Sequence, residues 1–423
     1  MNNVRSSIGV VCLGLAVTLA ACGSKGGAAS GSAGTDGTGA SGGSTASGGS
    51  TGTAGNTGAA GNTGAAGNGA GGTAGSPPDA APTEGGNALP PGMTPVQVYG
   101  QLKVVGTQLQ DQSGHPVQLK GVSSHWLNYE SKTFPESKPA IQYARDNWKL
   151  SVIRAAMGVD VAGGYLGTGT GTNAAQATML SKVNTIIQNA IDLGIYVIVD
   201  WHTSDAVTAT TTQATAASAF FTSIATQYGA SPNVIYEPYN EPNKVTWAQI
   251  KPYHEAVVAA IRAVDPDNLI ILGTPTYSQD VDLAAADPLT DATNLLYTLH
   301  FYACTHKQPL RDKANKAISL GLPLFITEFG ITPADGGVVK SGDNDVCEGE
   351  GNTWFAWMAQ NNISGASWKL DQCTDSSCIL TADAPVDGPW TDKFLTTDAG
   401  GTPVDGGEKG GGHGLFVVDW MRE

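Results

Sequence analysis

From residue 96 onward, short runs of β-branched and aromatic residues alternate with longer stretches whose apolar positions recur every three to four residues. The short runs predict strands at Gln118–Ser123, Ser151–Ala156, Tyr196–His202, Asn233–Tyr236, Leu269–Gly273, Leu295–Tyr302, Leu324–Glu328 and Ala366–Leu370. The longer stretches predict helices, among them Ala175–Leu193, Ala214–Tyr228, Trp247–Val264, Pro309–Leu320 and Thr353–Asn362. Near-continuous apolar strands separated by helices imply a parallel sheet with both faces covered. Eight such units in the 328 residues 96–423 predict an α/β fold of the (β/α)8 TIM-barrel type. A Rossmann sheet would want a Gly-rich turn after the first strand, and Ser123-Ser124-His125-Trp126 is not one. A hairpin over Leu102–Val117, turning at Ser113-Gly114, is expected to plug the bottom of the barrel.

The first 95 residues share none of this patterning. Between Cys22 and Leu89 there is no Val, Ile, Leu, Met, Phe, Tyr or Trp, so the stretch cannot bury a core. Gly-Asn-Thr-Gly-Ala-Ala recurs with period six across Gly55–Asn68, and residues 22–95 read as a disordered low-complexity linker with an r.m.s. reach of about 50 Å. Residues 1–21 read as a signal peptide: Arg5 precedes a 14-residue apolar run, Ile8–Ala21, too short to span a bilayer. Leu19-Ala20-Ala21-Cys22 resembles a bacterial lipobox, which implies a lipid on Cys22. Gly23 in place of an Asp then points to the outer membrane or cell surface, with extracellular release an open alternative. A plain secretory signal with an incidental Cys22 is the other reading. Three segments result: 1–21, 22–95 and 96–423, the last a single catalytic-size domain, expected to act as a monomer.

Charge and cysteines narrow the partners. The chain carries 22 Lys and Arg against 37 Asp and Glu. Setting aside Arg5, Lys25, Asp36, Asp79 and Glu84 leaves −14 on residues 96–423. A nucleic-acid binder needs a basic footprint that this domain lacks, whereas such acidity suits an uncharged partner. Export would place Cys304, Cys347, Cys373 and Cys378 in an oxidising compartment. Of three possible pairings, Cys373–Cys378 with Cys304–Cys347 is favoured because the first is a short loop clip. Metal binding is the alternative, unsupported by any CxxC or HxxxH pair. No cofactor and no metal are expected; Asp343-Asn344-Asp345 reads as an acidic loop.

Polar and aromatic residues cluster at the strands' C-terminal ends, which in a barrel share one face. Glu241 follows the fourth predicted strand and Glu328 ends the seventh. A carboxylate ending a buried strand is costly unless it has a task. Two facing carboxylates suit glycosidic cleavage, one protonating the leaving oxygen and the other attacking the anomeric carbon or activating water. His300 and Tyr302, two apart, share one side of a strand, so Tyr302 can hydrogen-bond a nucleophilic carboxylate. Asn240 is placed to hold a sugar hydroxyl, Arg154 needs a carboxylate such as Glu328, and Trp368 offers a floor for a pyranose ring. Trp126, Trp247, Trp354, Trp357 and Trp390 are either sugar platforms or core; Tyr129 and Tyr277 are better platform candidates. His254-Glu255 lacks a second His for a zincin helix and reads as a solvated face, while His115, His306 and His413 fall in loops without an evident role.

These residues carry a resemblance. Gly121-Val122-Ser123-Ser124-His125, Val152-Ile153-Arg154-Ala155-Ala156-Met157, Asp200-Trp201-His202, Tyr236-Glu237-Pro238-Tyr239-Asn240-Glu241-Pro242, Ser278-Gln279-Asp280-Val281, His300-Phe301-Tyr302-Ala303 and Ile326-Thr327-Glu328-Phe329-Gly330 occur in order along nearly the whole domain. In that order, with Tyr99-Gly100-Gln101-Leu102 before them, residues 97–423 resemble a glycoside hydrolase family 5 retaining β-glycanase, near the bacterial endo-β-1,4-glucanase branch. The resemblance implies that Glu241 is the general acid/base and Glu328 the nucleophile. It also implies substrate contacts from His125, Arg154, His202, Asn240, His300, Tyr302 and Trp368, to which Tyr129 and Tyr277 are added as substrate-binding residues on their aromatic character. The branch usually has an aromatic after Ala-Ala-Met and a Trp before Ser-Gln-Asp; this chain has Gly158 and Tyr277. The expected function is hydrolysis of internal β-1,4 bonds in cellulose or related β-glucans. The alternatives are the same chemistry on mannan or xyloglucan, or a non-catalytic surface lipoprotein that holds polysaccharide.

Overall fold

The computed structural model describes residues 89–130, 132–167, 172–204, 211–334, 346–372, 376–395 and 412–423. The signal peptide, Cys22, nearly all of the linker, Cys373, Asp343–Asp345 and most of the Gly-rich stretch near residue 400 lie outside the described residues. Helix α1 (Pro95–Tyr99) leads into an antiparallel hairpin, β1 (Lys103–Val105) and β2 (Gln108–Gln110). The remaining strands are β3 (Lys120–Ser124), β4 (Val152–Gly158), β5 (Tyr196–His202), β6 (Val234–Glu237), β7 (Ile270–Leu272), β8 (Leu295–Thr298), β9 (Phe301–Tyr302), β10 (Leu324–Gly330) and β11 (Gly365–Leu370). Between and after them run α2 (Lys138–Trp148), α3 (Thr172–Leu193), α4 (Thr211–Tyr228), α5 (Trp247–Arg262), α6 (Pro275–Ser278), α7 (Val281–Ala286), α8 (Gln308–Ser319), α9 (Glu348–Gln360) and α10 (Gly414–Arg422).

Neighbouring strands from β3 to β11 are parallel, and β11 pairs with both β3 and β10. The sheet therefore closes into an eight-stranded barrel whose sixth strand is split into β8 and β9, both paired to β10. Closure follows from strands buried on both faces. Ile153, Val197, Tyr236, Ile270 and Ile326 face outward into the core shared with the helices. The intervening Val152, Tyr196, Ile198, Ile235, Ile271, Leu296 and Phe325 fill the barrel interior, following the two-residue period of a strand. Leu102, Leu109 and Val117 from the hairpin region join that interior cluster, so it caps the barrel as expected.

The hairpin itself turns earlier than its sequence suggests. β1 and β2 meet at Gly106, whose φ is +60°, and Gly114, at φ +90°, closes a second reversal onto the Gln110–Pro116 bridge. Both turns need a residue tolerant of positive φ, and Ser113-Gly114 is the more conspicuous of the two in the sequence.

Cys304, just past β9, is bonded to Cys347, just before α9, across a separation of 43 residues. This is one half of the favoured pairing. Cys378 is buried and disulfide-bonded, while Cys373 lies outside the described residues. The Cys304–Cys347 bond ties the exit of β9, which ends on Tyr302, to the start of α9. Replacing both cysteines with Ser is expected to lower the unfolding free energy by about 2–4 kcal/mol through the entropy regained by the unfolded chain. Urea denaturation of the two forms measures it.

Candidate active site

The barrel interior changes character from bottom to top. Above the apolar layer sits Arg154 on β4, fully buried. Its Nε donates to Glu237 at 2.7 Å and its Nη2 to Glu237 at 3.2 Å and to Asn240 at 2.6 Å. Nη1 reaches Glu328 at 3.1 Å and Ser123 at 3.3 Å, and Nη2 lies 2.9 Å from Asp200. One guanidinium thus faces three carboxylates. Burial disfavours its charge, but Asp200, Glu237 and Glu328 outweigh burial and hold the Arg154 pKa above its ordinary value. Burial pushes Asp200 well up and lifts Glu237 to about 7, with Arg154 opposing both shifts. The pairing of Arg154 with Glu328 is legible in the sequence; those with Asp200 and Glu237 are not. They sit at inward positions, Asp200 two residues before His202 and Glu237 two after Ile235, so the parity used for His300 and Tyr302 would have found them.

Glu328 owes its direction to a bulge. Ile326 pairs with Gly365 and Phe329 with Ser367, so β10 carries one residue more than β11 between those points. Such an extra residue re-aims side chains. Thr327 and Glu328 consequently both point inward, as their partners show. Glu328 accepts from the Tyr302 hydroxyl at 2.7 Å and from Arg154. Burial and the nearby Glu328 and Glu241 raise the Tyr302 phenol well above its ordinary pKa, keeping it a donor.

Glu241 is placed by strand exits. The amides of Asn240 and Glu241 donate to the carbonyls of Trp201, near the end of β5, and of Thr203, just past it. Ser278 Oγ donates to the Asn240 carbonyl at 2.7 Å, and the His300 amide donates to the Ser278 carbonyl. Thr276, Tyr277 and Ser278 all take φ near +57°, a conformation costing each about 1 kcal/mol or more that these bonds and the Tyr277 amide to Pro242 carbonyl bond hold in place.

The directions of the hydrogen bonds separate the two glutamates. Thr327 Oγ donates to Glu237 at 2.6 Å, so toward His300 it can only accept. His300 Nε2 therefore carries the proton, and burial, with Arg154 adding to it, lowers its pKa to about 4. Its Nδ1, 2.9 Å from Glu241 Oε1, is then an acceptor. That geometry calls for a protonated Glu241, whose carboxyl burial lifts to about 7. Glu328, in contrast, receives only donors among the described residues, Tyr302 and Arg154. A carboxylate oxygen from each glutamate and a ring nitrogen of His300 lie within 4.8 Å of one another. By spacing alone this trio could ligate a divalent cation, but Arg154 and Tyr302 already occupy Glu328 and His300 occupies Glu241.

Aromatic rings line the opening. Trp368 is stacked on His202 at 5.4 Å and 5°, and meets His125 edge-on at 5.8 Å. His202 Nδ1 lies 2.6 Å from Asp200, and His125 Nδ1 2.9 Å from the buried Asp371. Of the residues singled out from sequence, Arg154, His202, Asn240, Glu241, His300, Tyr302, Glu328 and Trp368 converge, with His125 at their margin. Tyr129 and Tyr277 are 49% and 43% exposed; neither contacts the carboxylates among the described residues, and the Tyr129 ring meets Trp126 at 6.0 Å.

Trp247, Trp354, Trp357 and Trp390 are buried core residues, one of the two roles open to them from the sequence. His254 is fully buried, with Nε2 2.8 Å from the Gly273 carbonyl, so only Glu255 is on a solvated face. His413 is buried between the Ile331 amide and the Ser377 carbonyl, and His306 Nδ1 accepts the Tyr302 amide. Each ties the backbone in a way that loop position alone does not reveal.

The description "Cellulase (glycosyl hydrolase family 5)" matches residues 110–374 of this chain. An endoglucanase of Clostridium saccharobutylicum is 44% identical over 307 residues, 70% of this chain and 63% of that protein. Endoglucanase Z of Dickeya dadantii is 44% identical over 241 residues, 57% of this chain and 52% of that protein. The chain thus spans less than two thirds of either. Among solved structures, one from Cytophaga hutchinsonii superposes with a TM-score of 0.67 at 36% identity, covering 78% of this chain and 97% of that one. The catalytic domain of Thermobifida fusca endoglucanase Cel5A, also solved in a complex with cellotetraose, superposes with TM-scores of 0.66 and 0.63 at 29% identity, covering 78% and 100%.

Proposed function

The chain belongs to the cellulase family, glycosyl hydrolase family 5, and on that premise we propose that it hydrolyses internal β-1,4-glucosidic bonds of cellulose or related β-glucans with retention of configuration. The observation that carries the reading is the pair Glu241 and Glu328, one held as a donor and one as an acceptor, with oxygens within 4.8 Å. Retaining enzymes hold their carboxyl groups about 5–5.5 Å apart, and inverting ones about 6.5–9.5 Å, to admit a water. Glu241 protonates the glycosidic oxygen as Glu328 attacks the anomeric carbon, giving a glycosyl ester on Glu328. Glu241, now ionised, takes a proton from water, which displaces Glu328. Tyr302 and Arg154 aim Glu328 and stabilise its charge, and Trp368 supports the sugar ring.

The acid role has a definite pH consequence. Glu241 must be protonated in the first step, and burial sets its pKa at about 7. The value of kcat/KM is therefore expected to be sustained just below pH 7 and to fall about tenfold per unit well above it. Glu241→Gln removes that limb and slows turnover by about 10²–10⁴-fold. A basic limb centred near 4.5 in the wild type, with activity lost above it, would contradict the assignment.

The substrate reading is tested by expressing residues 96–423 and measuring viscosity loss and reducing ends on carboxymethylcellulose, lichenan, mannan and xyloglucan. Activity confined to mannan or xyloglucan overturns it. We further propose that the enzyme works as a monomer tethered through a lipid on Cys22 and the linker at the outer membrane or cell surface. The lipobox-like Leu19–Cys22 supports this. Equal incorporation of labelled fatty acid into wild type and Cys22→Ala would refute the anchor.

A further inference from the structure

Of the five tryptophans weighed as platforms, four bury their rings and donate their indole N–H to the protein: Trp247 to Asp287, Trp354 to His306, Trp357 to Asn315 and Trp390 to Pro385. Trp126 differs: it is half-buried at the exit of β3, which leaves part of its amphipathic ring open to solvent or to a ligand.

Its position says which. Trp126 packs against Ala156, Tyr302 and Trp368, the apolar cluster at the catalytic opening. It meets His202 edge-on, at 4.2 Å and 83°, while His202 lies parallel to Trp368 within 5°. The two indoles are therefore close to perpendicular, Trp368 as a floor and Trp126 as a wall.

Residue 158 makes room for that wall. Gly158 ends β4 without a positive φ, so its backbone does not demand glycine. Space does: a Cβ there would lie 2.0 Å from Asn128 Oδ1 and 3.2 Å from Trp126 Cε3. The volume a side chain at 158 would fill is occupied from the β3 side by Asn128 and Trp126.

We propose that Trp126 is a substrate-binding residue: its indole forms a wall against the glucosyl unit adjoining the one over Trp368 and donates its N–H to a hydroxyl of that unit. The space beside Gly158 is filled from the β3 side, chiefly by Asn128 and at its edge by Trp126. The proposal rests on the β-glucanase reading and adds to it a binding residue that acts outside bond cleavage.

The test measures kcat and KM on cellopentaose for the wild type, Trp126→Ala and Trp126→Phe, with thermal denaturation to verify folding. Trp126→Ala is expected to raise KM about tenfold, the worth of one ring face of apolar contact plus a hydrogen bond, with kcat within about twofold. Trp126→Phe keeps an apolar wall without the N–H, and is expected to raise KM about threefold. A folded Trp126→Ala or Trp126→Phe with unchanged KM, or a loss confined to kcat, overturns the proposal while the wild type's activity leaves the functional reading intact. A wild type inactive on every β-glucan would overturn that reading and this proposal with it.

Discussion

Glu328→Gln is expected to lower kcat by about 10⁴-fold or more, with KM and thermal stability near those of the wild type. The substitution is nearly isosteric, so the β10 bulge, the Tyr302 hydroxyl at 2.7 Å and Arg154 at 3.1 Å remain positioned around it. What it removes is the charge and nucleophilicity of the carboxylate, without which no ester to the sugar forms. Steady-state kinetics on cellopentaose measure the loss. Retention of more than about a tenth of the wild-type rate would show that another group attacks or that water does.

The second large effect is structural. Arg154→Met is expected to cost about 3–5 kcal/mol of stability in urea denaturation, because removing one partner of a buried ion pair strands the other. Here three partners are stranded, Asp200, Glu237 and Glu328, of which Asp200 and Glu237 have fully buried side chains. Adding Glu237→Gln to Arg154→Met is expected to recover part of the loss, since one uncompensated carboxylate disappears. Equal stability of Arg154→Met and wild type would mean that the network contributes nothing to the barrel's interior.

The barrel was legible because its strands are apolar on both faces and its helices are periodic. Ile153 and Val197 could face out and Val152 and Ile198 in without either being polar. Glu241 and Glu328 stood out as carboxylates closing such strands. Asp200 and Glu237 also point inward, yet Asp200 sits within a run ending in His202 and Glu237 just before a loop rich in stronger signals. Position 327 was hidden by the bulge, since simple alternation allows only one of Thr327 and Glu328 to face inward. Contacts from remote segments left no local trace: Asp371 on His125, and His413 on Ile331 and Ser377. The tryptophans could not be sorted either. Trp354 and Trp357 lie on one face of α9 against the barrel, and only the fold shows that this face, unlike the exit of β3, is covered.

The central claim is double displacement by Glu241 and Glu328, and the anomeric configuration of the first-formed product tests it most directly. Proton NMR of cellopentaose, recorded as the wild-type enzyme is added, follows the new reducing ends before mutarotation. The β anomer is expected to appear first and relax toward equilibrium. Initial appearance of the α anomer would contradict a covalent intermediate on Glu328 and with it the roles assigned to both glutamates.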